Sequence, residues 1–306
     1  MTPKQAPNSR KPDKRKPDSR KPGSRKQDRR GKVVLRMRGG AANPLIVEAA
    51  LRMAQAFRGE LHGLFVENKD LLALADLPFA TEVSLTGHRS RALSLDLVRR
   101  EMQAASDTMK REFDRLMQAT HIPLHFDTVF EEAEDALDRI LQETGILAIG
   151  EPFAWAGETH LQNLPAGVSG LIGMVLVGAQ ARRAKGAVLA IIDKDADTAL
   201  LVDTAEHLAA GSGSPPGDPI VLLLAGSDTA ENQHLEAQAR KALDQGTRYR
   251  FETHIDPGAQ EICAAARAAN AGLVIARLGG PATQNEPAAA RIACALDCPI
   301  LLLSGG

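Results

Sequence analysis

The chain alternates short aliphatic runs with longer stretches in which apolar residues recur every three or four positions. The first pattern predicts strands buried on both faces, and the second predicts amphipathic helices. From Lys32 onward the predicted strands read KVVLRMR, ELHGLFVE, PLHFDTVF, GILAIG, GAVLAIID, PIVLLLAGS, YRFETHID, GLVIA and PILLLS. Strands that alternate with helices indicate an α/β fold in which helices cover both faces of a parallel sheet.

Three further helices are predicted in the first half, and for one of them a membrane span is the alternative. A long helix is predicted from Ser90 to Thr120, and a shorter one over residues 133–144. Residues 159–181 form an uncharged stretch that is long enough to span a bilayer, but they are rich in Gly, Ala and Gln. Only the segment LIGMVLV within them is strongly apolar, so a buried fourth helix is predicted there rather than a membrane span.

The order of strands and helices runs through the chain twice, which predicts a tandem duplication. A chain of 306 residues is also long enough for two domains. The predicted division is a basic tail over residues 1–31, a first unit over 32–184 and a second unit over 185–306. The strand at 186–193 is interpreted as both the end of the first unit and the start of the second.

The charge of the chain is divided unevenly between the tail and the body. Residues 1–32 hold 13 Lys and Arg against 3 Asp, so a total of −1 leaves the body at −11. From residue 10 the tail repeats a five-residue unit, RKPDK, RKPDS, RKPGS and RKQDR, whose composition cannot bury a core. A solvated tail without a partner is favoured, and an electrostatic arm for nucleic acid or an anionic membrane is the alternative.

Three cysteines, Cys263, Cys294 and Cys298, lie in apolar surroundings near the end of the chain. An odd number without zinc-site spacing predicts reduced, buried thiols in a reducing compartment. The charged first residues are not followed by the apolar segment of a signal peptide, so a cytoplasmic location is expected.

Several of these segments resemble the universal stress protein family, a five-stranded α/β fold of the adenine nucleotide α-hydrolase-like type. ELHGLFVE is similar to the second strand of that family, and AGLVIA followed by DCPILLL is similar to its fourth and closing strands. AIIDKDADTALLVDTAEHLA resembles the first strand, its terminal Asp and the first helix. The resemblance covers nearly all of residues 32–305 in two copies, and it implies a stress-associated or regulatory module.

The resemblance also implies where a nucleotide would bind. ATP-binding members carry a loop after the fourth strand that runs Gly, two residues, Gly, nine residues, Gly, then Ser or Thr. Glycines let backbone N–H groups approach phosphate, and the next helix N-terminus adds a favourable dipole. Counted from Gly279, the later positions hold Ala282, Ile292 and Ala293, and counting from Gly280 fits no better. The loop is therefore predicted to be degenerate.

The Asp that ends the first strand contacts the nucleotide in family members, and Asp193 matches it in the second unit. Asp193, Gly279 and Gly280 are the candidate nucleotide-binding residues; no cofactor is expected, and weak binding of an adenine nucleotide stays open. The first unit has Arg38 and Gly39-Gly40 at that strand end, interpreted as a turn. Its loop holds Phe153 where a glycine is expected three residues after Gly150, and the glycines at 167, 170 and 173 are interpreted as close helix packing, with an anion site in a longer loop as the alternative.

No catalytic set and no metal site is predicted. No Ser-His-Asp or Cys-His group can be assembled from the sequence, and Pro123 separates His121 from His125, so these two are poor metal partners. The expected function is a non-enzymatic binding module with a degenerate phosphate loop. A nucleotide-binding or hydrolysing protein with a non-standard loop is one alternative, and an adaptor tethered by its tail is another.

The expected partners follow from the resemblance as well. Family members pair through the edges of their sheets at the last strand, so self-association is expected, and a tandem chain could satisfy that pairing within itself. The identity of a further protein partner stays open.

Overall fold

The structure of the chain is a computed structural model that describes residues 31–38, 44–66, 69–83, 90–120, 122–129, 145–150, 171–211, 219–280, 283 and 286–304. Residues 1–30 of the basic tail lie outside this part of the chain. So do the helix predicted at 133–144, the pair Gly39-Gly40 and the loop at 151–170. The predictions made for these segments stay predictions.

Ten strands form one sheet, and two short strands form a separate hairpin. The strands are β1 (Lys32–Arg38), β2 (Glu60–Val66), β3 (Thr81–Val83), β4 (Ser90–Ala92), β5 (Leu124–Val129), β6 (Gly145–Gly150), β7 (Leu171–Val177), β8 (Ala187–Ile192), β9 (Ile220–Leu224), β10 (Tyr249–Thr253), β11 (Ala271–Arg277) and β12 (Ile300–Leu303). Their order across the sheet is β10-β9-β8-β11-β12-β7-β6-β1-β2-β5, and β3 pairs with β4.

Helices connect most of these strands. The helices are α1 (Pro44–Ala56), α2 (Lys69–Ala75), α3 (Leu95–Ala119), α4 (Asp195–Ala210), α5 (Thr229–Ala242), α6 (Ala259–Ala268) and α7 (Glu286–Ala295). Asp228 begins α5 as its N-cap, because its side chain accepts a 2.8 Å hydrogen bond from the backbone N–H of Glu231. The α/β fold class predicted from the alternating pattern is confirmed.

The two halves of the large sheet repeat one strand order. Read in chain order, the strands of each half are arranged third, second, first, fourth and fifth, and within each half they are parallel. The halves meet where β12 pairs with β7 in antiparallel fashion, with Leu301 opposite Val175. This is the pairing of last strands that the resemblance implies for family dimers, here made within one chain. It agrees with a tandem duplication, whose domain boundaries remain a prediction.

Both faces of the sheet are buried, as the continuous aliphatic runs predict. Side chains of α1, α3, α4 and α5 pack on one face, where Phe113 and Met53 are almost fully buried. Side chains of α6 and α7 pack on the other face, where Ile262 and Ile292 are buried. Each cluster contains strands from both halves of the sheet, so the core is continuous across the β7–β12 junction.

Three sequence predictions need correction. The helix predicted over residues 159–181 is wrong at its apolar end, because residues 171–177 form β7, which is paired with β6 on one side and β12 on the other. The strand at 186–193 does not close the first half, since β8 pairs only with β9 and β11 among the described strands. The long helix begins at Leu95 rather than Ser90, because residues 90–92 pair with β3.

Candidate functional site

The candidate nucleotide-binding residues lie together at the carboxyl ends of β8 and β11. The chain leaves β8 through α4 toward β9, and it leaves β11 through α7 toward β12, on the opposite side. The two connections therefore diverge between these neighbouring strands. In open α/β sheets, such a divergence creates the crevice in which ligands bind. The predicted residues Asp193 and Gly280 meet here, and Gly279 lies next to them in the same turn.

Asp193 follows the last residue of β8, and its carboxylate is only 5% exposed. Its Oδ1 atom has no hydrogen-bond partner among the described residues. Burial raises the pKa of Asp193, and the negative charge of Asp197 raises it further, whereas Lys194 and Arg277 lower it. An acid in this setting holds a proton more readily than a surface acid, and it can accept hydrogen bonds from a ligand.

Gly280 lies directly against this carboxylate. A Cβ at position 280 would overlap Asp193 Oδ2, so only glycine allows the loop to approach the strand end so closely. The preceding Gly279 has φ +79°, in the left-handed region that glycine favours. Both glycines thus serve the shape of the loop, and the loop covers the acid at the strand end.

Much of the hydrogen-bonding capacity of this loop is used within the loop itself. The N–H of Gly279 donates to the carbonyl of Thr283 at 3.1 Å, and the N–H of Thr283 donates to the carbonyl of Gly280 at 2.9 Å. The N–H of Gly280 points at the carbonyl of Arg277 at 3.4 Å, and the Thr283 hydroxyl donates to the same carbonyl. These donors are therefore not directed at a bound anion.

An ion pair between Arg277 and Asp197 completes the site. Arg277 is the last residue of β11, and its Nη1 donates to Asp197 Oδ2 in the first turn of α4. Asp197 is 8% exposed, so the pair is largely removed from water. Sequence reasoning missed both residues. A charged residue ending an apolar strand was the signal available, but only the fold places Arg277 beside the start of α4.

The equivalent end of the first half is only partly described. β1 ends at Arg38, with no acid at the position that corresponds to Asp193. The glycines that follow it, and the loop after Gly150, lie outside the described residues. The prediction of a simple turn therefore stays untested, whereas Gly173, one of the glycines assigned to close helix packing, lies in the strand β7.

A second group of polar side chains lies at the amino ends of β2 and β5, in the first half. Glu60, His62 and His125 place one ligand atom each within 4.8 Å of one another. The prediction that His125 is a poor metal partner considered only His121, which lies outside the described residues. The sequence signal was the repeated Leu-His pair at 61–62 and 124–125, which the parallel register sets side by side.

No disulfide joins the three cysteines in the described structure. Cys263 and Cys298 are buried, and Cys294 is half buried. Burial raises the pKa of Cys298 to about 12, and it also raises the pKa of Cys263. Both thiols therefore stay protonated near neutral pH and act as small apolar core residues. Within the described residues, no helix combines the length and the apolar character that a membrane span requires.

Comparison with known proteins identifies the fold. Similar structures include a universal stress protein from Archaeoglobus fulgidus, with a TM-score of 0.57 and 14% identity, covering 91% of this chain and 98% of that one. A putative universal stress protein from Pseudomonas aeruginosa has a TM-score of 0.51 and 12% identity, covering 90% of this chain and 94% of that one. No family model matches the sequence, and no curated protein sequence matches it. The chain has the universal stress protein fold.

Proposed function

We propose that this chain, built on the universal stress protein fold, is a non-enzymatic, stress-associated binding module whose ligand site in the second half has lost its affinity for triphosphates. The observation that carries the proposal is the loop over Asp193. The fold brings Asp193, Gly279 and Gly280 to the divergence between β8 and β11, where such sheets bind ligands. At that place Gly280 lies against the acid, and the N–H groups of Gly279, Gly280 and Thr283 point at carbonyl groups of the loop and of Arg277.

Weak phosphate binding follows from the lost donors. A hydrogen bond to a charged group contributes about 1.5–3 kcal/mol, so two or three missing contacts would move a micromolar site to the millimolar range or beyond. The later motif positions hold Ile292 and Ala293, which supply no hydroxyl and no glycine. Both belong to α7 and their side chains are buried in the core, so they are also held away from a ligand.

A nucleotide-binding protein with a non-standard loop is the second candidate. The observation that favours it is the cationic side chain of Arg277 at the mouth of the site, with Lys194 next to Asp193 in the chain. If Arg277 exchanged Asp197 for a phosphate group, it would supply the charge-assisted contact that the backbone withholds. That exchange would break a largely buried ion pair, which favours the first candidate.

Calorimetric titration of the full chain with ATP and with adenosine separates the two. The proposal expects a dissociation constant for ATP in the millimolar range or weaker, with adenosine no weaker than ATP, because phosphates gain nothing at this loop. A dissociation constant for ATP below about 10 µM would contradict the proposal. If Arg277→Gln then abolished that binding, the second candidate would replace it. Release of phosphate from ATP, measured on the same sample, tests the non-enzymatic part.

A further inference from the structure

Glu60, His62 and His125 project from one face of the sheet at its β5 edge. β2 and β5 are parallel neighbours, and their register sets His62 directly opposite His125. Glu60 is two residues before His62, so its side chain leaves the same face of β2. Leu64, further along that face, belongs to the buried cluster that also contains side chains of α6 and α7.

The three side chains already converge. His62 Nε2 lies 3.1 Å from Glu60 Oε1, and His125 Nε2 lies 3.7 Å from Glu60 Oε2. The two imidazole rings stack with centroids 4.5 Å apart and planes inclined by 27°. Ligands at about 2.0–2.2 Å from one zinc ion stand somewhat more than 3 Å apart, so small rotations of these side chains would bring them to one centre.

Burial differs between the three in a way that suits ion capture. The side chain of His62 is 14% exposed and that of Glu60 is 29% exposed, so the sheet holds both in place. The side chain of His125 is 52% exposed and borders solvent. The site therefore combines two fixed ligands with one accessible ligand that leaves a path for an ion and a water molecule.

We propose that Glu60, His62 and His125 form a binding site for one divalent transition metal ion, with Zn²⁺ as the preferred occupant. Two imidazole nitrogens and one carboxylate oxygen form a ligand set that suits zinc, and cobalt binds sets of the same kind. Water would supply the fourth ligand. Binding of Ca²⁺ or Mg²⁺ is disfavoured, because these ions select oxygen ligands.

Lys32 is the main competitor for this site. It is the register partner of Glu60 on β1, and its Nζ lies 3.7 Å from Glu60 Oε1. An ammonium group beside a bound cation is repulsive, so Lys32 must turn away when the ion enters, and it limits the affinity. The alternative is a purely structural cluster, in which Glu60 balances the charge of Lys32 and contacts the two histidines without binding a metal ion. The experiment must distinguish this cluster from a metal site.

The test is a calorimetric titration of the full, metal-free chain with zinc chloride, repeated with cobalt chloride and visible absorption. The wild-type protein is expected to bind one zinc ion per chain. In His125→Gln and in Glu60→Gln this binding should be absent or at least about tenfold weaker in affinity, because even residues outside the direct ligands of a metal site contribute 10–100-fold to its affinity. Cobalt in this site should show the visible bands of a tetrahedral ion, and those bands should be lost in both variants.

His207→Gln is the matched control. His207 is 46% exposed and lies 3.6 Å from the carboxylate of Asp203, so it forms an exposed His–carboxylate pair without a second histidine. This variant should still bind one zinc ion per chain and should still show the visible bands of bound cobalt. The proposal is overturned if the wild type takes up no such equivalent, or if His125→Gln takes up zinc as the wild type does. Because His125 is half exposed on an edge strand, that variant decides the matter even if Glu60→Gln fails to fold.

The outcome is independent of the proposed function. The metal site lies on β2 and β5 in the first half, whereas the candidate ligand site lies on β8 and β11 in the second. Zinc binding and ATP binding are measured separately on the same sample, so either proposal can fail while the other stands.

Discussion

At the scale of single residues, the candidate ligand site is governed by one buried acid. Asp193 lies under Gly280, and its Oδ1 has no hydrogen-bond partner among the described residues. Its ionised form is therefore poorly solvated, which is why burial raises the pKa of this group. The acid is therefore costly for the stability of the fold, and this cost agrees with the role in ligand binding that we propose for it.

The stability of the Asp193→Asn variant tests this. Because the folded-state pKa is raised, the wild-type group contributes stability below the ordinary pKa range of Asp, and this is lost as pH rises through the raised pKa. At neutral pH the variant should be more stable than the wild type by about 1–3 kcal/mol, because a neutral amide costs less to bury than an ionised carboxylate. The gain should shrink as pH falls from the raised pKa toward the ordinary pKa of Asp, and it should be gone below the ordinary pKa. Urea unfolding at several pH values measures both effects.

Asp203→Asn provides the control for that measurement. Asp203 lies on the exposed side of α4, beside His207. Its replacement should change the free energy of unfolding by no more than about 0.5 kcal/mol at any of these pH values. A loss of stability in Asp193→Asn would show instead that the carboxylate accepts hydrogen bonds in the folded protein.

At the scale of elements, β7 decides how the two halves join. Its sequence LIGMVLV has no strand-specific alternation, and the glycines and alanines around it favoured a helix. The structure makes it a central strand, parallel to β6 and antiparallel to β12. A continuous apolar run fits a strand buried on both faces as well as it fits a buried helix, so only the available sheet partners decide between them.

The Gly173→Ala variant tests the pairing of β7. A Cβ at position 173 would lie 2.6 Å from the carbonyl oxygen of Leu302 and 3.2 Å from Leu303 Cδ2, so β7 and β12 would have to separate. We expect a loss of about 1–3 kcal/mol in unfolding free energy, typical of overpacking. Gly211→Ala is the control, because its Cβ would meet its nearest neighbour at 3.6 Å. Equal stability of the two variants would contradict the β7–β12 pairing.

At the scale of the whole molecule, the two halves share one sheet and one core. The apolar cluster on each face contains strands from both halves, and Arg52 of α1 donates a 2.8 Å hydrogen bond to the carbonyl of Ala184 before β8. An interface of this kind resembles the interior of a single domain more than a contact between separate domains.

Thermal unfolding should therefore be one cooperative transition. If one half unfolded, the other would lose part of its core and expose apolar side chains to water. Neither half should therefore stay folded without the other. Scanning calorimetry should give a van't Hoff enthalpy close to the calorimetric enthalpy, and Gly173→Ala should shift that single transition as a whole. Two resolved transitions would show that the halves fold independently despite their shared sheet.

The sequence by itself determined the fold class and named three residues of the candidate ligand site. Alternation of apolar runs with helical periods is a local property, and it is enough to predict a parallel α/β sheet. Residue types at a strand end are local too, which is why Asp193, Gly279 and Gly280 could be named. The departure of this loop from the spacing of the phosphate motif can likewise be read from the sequence alone.

The tertiary structure alone decided which segments become neighbours. Strand pairing and register depend on hydrogen bonds between residues far apart in the chain, which no local pattern encodes. These contacts make residues 171–177 a strand, assign β8 to the second half, and place Arg277 against Asp197 across 80 positions of sequence. The same register brings His62 opposite His125 and so creates a candidate metal site from two histidines that the sequence keeps apart.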